Sequence, residues 1–259
     1  MSVLSRARGA LRHLTPLRNL NRVPVPAPIA RRLKHPAESA FWRVELERIA
    51  RWYDGQEHRG HPPPEPHERV TGHDRRTDAA LTYARVFHDG YARGLRLHRH
   101  ALRGMRVLDV GCGPFPSLLA FEGCEPHGLD PLVDRYRAAG FPLAEWEGQG
   151  YAYHRGRAEA MPFADASFDA VVSMNAIDHL DDFVAAAREV RRVLRHGGLL
   201  RILANYHERT LTEPFELSDA AFLEHYGWLD GLERLAETSR AGAPGGVDVL
   251  WGNRPELGR

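Results

Sequence analysis

The 259-residue sequence predicts an α/β fold: a doubly wound, mainly parallel sheet, with an antiparallel hairpin at its C-terminal edge and a helical extension before it. Three observations predict this. From Gly104 onward, short apolar runs alternate with helix-length segments, the pattern of strands joined by crossover helices. Two glycines, Gly111 and Gly113, directly follow the first run and precede a helix-forming stretch. Near the end the pattern changes to two extended runs joined through Gly242 to Gly245, as in a hairpin.

Residues 1–36 are basic and proline-rich, with Pro24, Pro26 and Pro28 alternating. Proline removes backbone donors and favours extended chain, so this tail is expected to be partly disordered or laid over the surface. It has no apolar run long enough for a secretion signal, and its lack of Asp and Glu through Lys34 keeps an organellar presequence open. Residues 37–100 are expected to form a helical cap or extension. Phe41, Trp42, Val44, Leu46, Ile49 and Trp52 recur at helical spacing from Ala37 to Tyr53, an amphipathic stripe that needs a partner surface. Pro62, Pro63, Pro64 and Pro66 mark Asp54 to Asp74 as a linker or exposed loop. A second helix is predicted from Arg76 to His98, carrying Leu81, Tyr83, Val86, Phe87, Tyr91, Leu95 and Leu97.

Residues 101–259 carry the α/β domain. Arg106 to Val110 reads as a buried strand and Ser117 to Phe121 as a short helix; a second strand ends at Asp130, and a helix follows from Leu132. Ala152 to His154 and Phe168 to Met174 supply the third and fourth strands. Asp182 can cap a helix from Phe183 to Leu194, Gly197 and Gly198 stop it, and Leu199 to Ala204 is the next strand. Ser218 or Asp219 starts a helix through Tyr226, and Leu232 to Ala236 with Gly246 to Gly252 form the edge hairpin.

Composition narrows the function. The formal charge of +1 argues against a global field for nucleic acid, leaving only the basic tail in favour of such a partner. No run reaches the length of a membrane span. Cys112 and Cys124 have no paired spacing and read as reduced thiols of a cytoplasmic protein. Lys34 is the only lysine.

The run Val107-Leu-Asp-Val-Gly-Cys-Gly-Pro114 places its glycines where backbone turns sharply and where open α/β folds bind ligands. It lacks the lysine of a P-loop, and Pro116 stands where a dinucleotide fingerprint needs its third glycine. By itself this turn leaves a cofactor site and an ordinary tight turn equally open. The run resembles the first signature of the class I S-adenosylmethionine-dependent methyltransferases, Rossmann-like proteins, and the later order of features is similar to their small-molecule type, the UbiE/type 11 group. The resemblance implies S-adenosyl-L-methionine as cofactor and a small-molecule methyl acceptor; it leaves a homodimer open.

By that resemblance Asp109 orients the amino acid end of the cofactor, the backbone of Gly111, Cys112 and Gly113 lies against it, and Asp130, followed by Pro131, binds the ribose hydroxyls. A carboxylate suits a vicinal diol because it can accept both O–H groups. Ala158 offers its backbone N–H to a ring nitrogen of the base, Glu159 or Met161 lines the base pocket, and Asn175 lies at the mouth. Two positions depart from the family: Phe115 replaces a frequent glycine, and Arg157 stands where an acid commonly contacts the adenine amine. These departures keep a second reading open, a methyltransferase-like protein acting through protein contacts.

Methyl transfer needs an acceptor aligned opposite the leaving sulfur, and a base only where the acceptor must lose a proton. His179 has the titration range of a base and Asp178 is its neighbour, while Tyr206 and His207 belong to the polar loop Asn205 to Phe215 after the fifth strand. These four are the candidate catalytic residues. Asp178, His179, Asp181 and Asp182 are adequate metal ligands, but surface charge and the capping role of Asp182 explain them, and no metal is assigned.

Overall fold

The computed structural model describes residues 27–58, 62–207, 215–239 and 246–258. Most of the basic tail, positions 208–214 of the polar loop and the hairpin turn at 240–245 lie outside the described residues.

Helix α1 spans Ala27–Tyr53, starting before the expected Ala37 and carrying Pro36 inside it. Pro28 falls in the first turn, where a missing N–H forfeits no bond. Pro36 does forfeit one, and contacts of the adjacent Lys34 and Glu38, described below, offset it. The buried stripe includes Leu46, Ile49 and Trp52, whereas Val44, expected within it, is 41% exposed. The Trp52 indole N–H donates to the Pro62 carbonyl (2.9 Å) and the Tyr53 hydroxyl to the Val70 carbonyl (2.8 Å). The proline-rich stretch is thereby tied back onto α1, not left as a free linker. Helix α2, Arg75–Gly94, is capped by Asp74, which accepts from the N–H groups of Arg76 and Thr77. It ends short of the expected His98 because the chain turns at Arg96, where φ is 49°.

Seven strands form one sheet: β1 (Arg106–Val110), β2 (Glu125–Asp130), β3 (Ala152–Arg155), β4 (Phe168–Met174), β5 (Leu194–Tyr206), β6 (Glu233–Ser239) and β7 (Val247–Gly252). Their order is β3-β2-β1-β4-β5-β7-β6. The first five pair in parallel, and β7 runs antiparallel to β5 and β6, which makes the predicted edge hairpin. Alternation along β1 sends Leu108 and Val110 to one face and Val107 to the other. The first face meets α5 (Phe183–Val193) and α6 (Asp219–Tyr226); the second meets α1, α2, α3 (Val133–Ala139) and α4 (Leu143–Gly148).

Three local expectations change. Ser117–Ala120 is a single 3-10 turn, held short between Pro116 and the extended Phe121. The helix after Leu132 is split, because Gly140 adopts φ 91° and Pro142 starts a new turn. Gly197 and Gly198 do not stop α5; they lie inside β5, which begins at Leu194. The register passes from Phe168↔Leu194 to Ala170↔Leu199, a bulge that Gly197 accommodates at φ 70°. Among the described residues no helix is long and apolar enough to cross a membrane.

The chain lays β2 and β3 on one side of β1, then crosses to place β4 and β5 on the other. Such a reversal opens a crevice at the carboxyl ends of β1 and β4. The glycine turn lies there.

Candidate active site

Leaving β1, the backbone takes φ 73° at Gly111 and 63° at Gly113. A Cβ on Gly111 would lie 2.3 Å from the Cβ of Ala176, just beyond β4, so close approach as well as backbone conformation requires glycine. The N–H groups of Gly111 and Cys112 donate to the Leu129 carbonyl at 2.8 and 3.3 Å. Below the turn, a Cβ on Gly128 would sit 2.6 Å from the Cys112 sulfur. The Cys112 side chain therefore packs beneath the turn, and what this position offers a ligand is backbone.

Two buried acids flank the turn. Asp109, 2% exposed, accepts a 2.8 Å hydrogen bond from the Tyr91 hydroxyl on α2. Asp130, 6% exposed, accepts from the N–H groups of Gly113 (3.0 Å) and Leu132 (2.8 Å) and from the Tyr136 hydroxyl (3.1 Å). Burial raises both: Asp109 to about 7, against the Tyr91 bond that lowers it, and Asp130 to about 6, against its three donors. Pro131 follows, half-buried.

One face of α1 crosses this site. Lys34, Glu38 and Trp42, spaced at four residues, run over it from the β4 exit to the glycine turn. Lys34 donates to the His179 carbonyl and pairs with Asp181 at 3.3 Å. Glu38 lies 3.4 Å from His179 Nδ1. Burial opposes its ionisation, but hydrogen bonds with His179 and His35, with the nearby Lys34 charge, hold it down at about 2. Trp42 stands over Gly113, 3.6 Å from where a Cβ would be, and meets Phe115, Tyr136 and Phe141 edge-on. Phe115 thus anchors the cap: it also contacts Tyr83 and Trp146. Neither Lys34 nor Glu38 was assigned to the site from the sequence; their four-residue spacing with Trp42 was the available signal.

The segment before β4 is knit by charge. Ala158 is buried. Glu159 Oε1 accepts from the N–H groups of Asp181 (2.9 Å) and Asp182 (3.3 Å), and Arg157 pairs with Asp181 at 2.6 Å. Glu159 and Arg157 therefore hold the β4 exit in place. Asn175, the first residue after β4, has φ 52°, and its Oδ1 is buried with no hydrogen-bond partner among the described residues.

The four candidate catalytic residues separate into different surroundings. His179 is committed to Glu38, whereas Asp178, fully buried, places Oδ2 3.4 Å from His207 Nε2. Adjacent in sequence, Asp178 and His179 face different partners; Asp178 and His207, from separate segments, are the pair brought together. Tyr206 is not part of that pair. Its hydroxyl accepts from the Trp251 indole N–H (2.9 Å), its ring packs beside Phe222, and burial raises its pKa strongly. That surrounding gives Tyr206 a packing role.

The raised acids predict a pH dependence. Asp109 and Asp130 hold protons in the folded protein that the unfolded chain releases, so their contribution to stability is full below about pH 4 and is lost as pH rises through about 6 to 7. Asp109→Asn keeps an acceptor for Tyr91 without the charge. Denaturant titrations at pH 5 and pH 8 are therefore expected to show the wild type losing more stability than Asp109→Asn over this interval. Parallel changes in the two proteins would remove Asp109 as the cause.

Residues 108–202, from β1 into β5, match the family described as a methyltransferase domain. A sterol 24-C-methyltransferase of Gibberella zeae is 32% identical over 146 residues, which are 52% of this chain and 37% of that protein. An uncharacterized methyltransferase of Bacillus subtilis, YcgJ, is 33% identical over 125 residues, 47% of this chain and 49% of that one. The matched stretches thus span under half the length of these two curated relatives. The crystal structure of YcgJ superposes with a TM-score of 0.50 at 18% identity, covering 66% of this chain and 99% of that chain, a likeness of fold. By that match, the sheet order and the glycine turn, the domain that residues 108–202 form belongs with the class I S-adenosylmethionine-dependent methyltransferases, related to the UbiE-type group.

Proposed function

We propose that this protein transfers a methyl group from S-adenosylmethionine to a small-molecule acceptor in the cytoplasm. One observation carries the reading: two buried carboxylates, Asp109 and Asp130, stand at or near the carboxyl ends of adjacent parallel strands with the positive-φ turn Gly111–Gly113 between them. Buried acids are expensive unless a counter-charge or donors meet them. A ligand bearing an ammonium group, a sulfonium and a ribose diol supplies both.

The donor set fits that ligand. An ionised carboxylate has about four lone-pair positions, and Asp130 spends three on its own chain, one of them on the rotatable Tyr136 hydroxyl. Release of Tyr136 leaves two for a diol. The orphaned Asn175 Oδ1 offers a further acceptor at the mouth, and on this reading Ala158, Glu159 and Pro131 are the residues for the base side. When bound, the cofactor supplies an electrophilic methyl group. For an acceptor that must lose a proton, His207 is better placed than His179, because Asp178 can orient its imidazole while His179 is tied to Glu38.

Calorimetric titration with S-adenosylhomocysteine tests the reading. Saturable binding that weakens below about pH 7, as Asp109 takes up a proton, is the expected result. Absence of heat at millimolar ligand would overturn it.

A further inference from the structure

A cavity of about 150 Å³ lies between α2 and the turn that follows Gly113, lined by Tyr83, Phe87, His88, Tyr91, Phe115 and Met174 among others. Its polar groups are mostly engaged: the Tyr91 hydroxyl donates to Asp109 and Ser117 Oγ to the Phe115 carbonyl. His88 differs, for its Nε2 is buried with no hydrogen-bond partner among the described residues. A buried polar atom in this state costs stability unless something supplies the missing bond.

We propose that this cavity holds the methyl acceptor, that the acceptor is a one-ring aromatic compound bearing a hydroxyl group, and that His88 binds that hydroxyl. The proposal rests on the methyl-transfer reading above. Size sets the ring count, since an apolar cavity of roughly 150 Å³ is known to take up one benzene. The aromatic wall of Tyr83, Phe87 and Phe115 suits a flat ring packed edge-on or offset. A hydroxyl both donates and accepts, so it satisfies Nε2 in either tautomer of a neutral imidazole. Burial, the main influence, lowers His88 to about 4, with Asp89 opposing and Arg85 assisting, so the ring is uncharged at neutral pH and offers no cation to a carboxylate ligand. Place agrees as well: Tyr91 links the cavity wall to Asp109, and Met174 is the last residue of β4, next to Asn175.

Fluorine NMR titrations of the full chain with 4-fluorophenol and fluorobenzene test this, with and without S-adenosylhomocysteine. Both rings are expected to bind the wild type, the phenol about tenfold more tightly, as one hydrogen bond provides. His88→Phe should erase that preference and His88→Gln, which keeps a donor and an acceptor, should restore most of it; if the Phe variant does not fold, His88→Ala takes its place. Equal affinities in the wild type, a preference that survives in His88→Phe, or no ring binding at all overturns the proposal. Displacement of either ring by S-adenosylhomocysteine also overturns it, by making the cavity part of the cofactor site. Because ring binding is read without cofactor, its failure is separable from a failure of the protein to bind cofactor.

Discussion

Asp130→Ala is expected to weaken S-adenosylhomocysteine binding between about tenfold and a hundredfold, since a hydrogen bond to a charged group contributes roughly 1.5–3 kcal/mol. Calorimetry reads this directly. The substitution also strands three donors, the N–H groups of Gly113 and Leu132 and the Tyr136 hydroxyl. A buried donor left without a partner costs about 1–3 kcal/mol, so the ligand-free melting temperature should fall too. Tyr136→Phe separates the two effects. It frees a lone pair on Asp130 and keeps the carboxylate, so affinity should hold or rise. Wild-type affinity in Asp130→Ala removes this acid from the site, whatever happens to stability.

Gly111→Ala has the second large effect, and Gly113→Ala is its internal control. Both positions hold left-handed backbone, which costs a non-glycine residue roughly 1–2 kcal/mol. Only at position 111 does the new Cβ run into a neighbour, 2.3 Å from Ala176; at position 113 the nearest atom, on Trp42, is at an ordinary 3.6 Å. Overpacking of this kind costs about 1–3 kcal/mol more and displaces the backbone that carries Asn175 and Asp178. Denaturant unfolding should rank the variants with Gly111→Ala clearly less stable, and cofactor affinity should fall with it. Equal destabilisation would mean that backbone strain, not the approach of the β4 exit, is what Gly111 relieves.

The parallel sheet was readable because its strands are buried on both faces and therefore near-continuous apolar runs, as in Val107–Val110 and Phe168–Met174. The glycine turn and the acids Asp109 and Asp130 were readable because chemistry and strand ends coincide there. The limits of β5 were not, since Gly197 and Gly198 look like a helix stop and the bulge that uses them depends on register with β4. Pro36 concealed the start of α1 in the same way: a local breaker was overruled by distant contacts to His179 and Asp181. Side-chain partners were least accessible. Asp178 and His179 are neighbours in sequence, which does not say what each faces; Asp178 turns to His207 and His179 to Glu38, because a 3-10 turn at Ile177–His179 points successive side chains in different directions. His88 carried no signal beyond its place on a helix, and its missing partner is visible only in three dimensions.

The crossing of α1 over the crevice bears on tempo. Lys34 and His179 are 145 positions apart, so one wall of the crevice arrives on a segment separate from the strands that carry the other. Under the proposed function, a ligand seated beneath that helix would leave by parting the contacts of Lys34 with Asp181 and of Glu38 with His179. In many enzymes with such an enclosure, departure of the product is the slow step. Weakening the Lys34 contact should then speed release and lower affinity together.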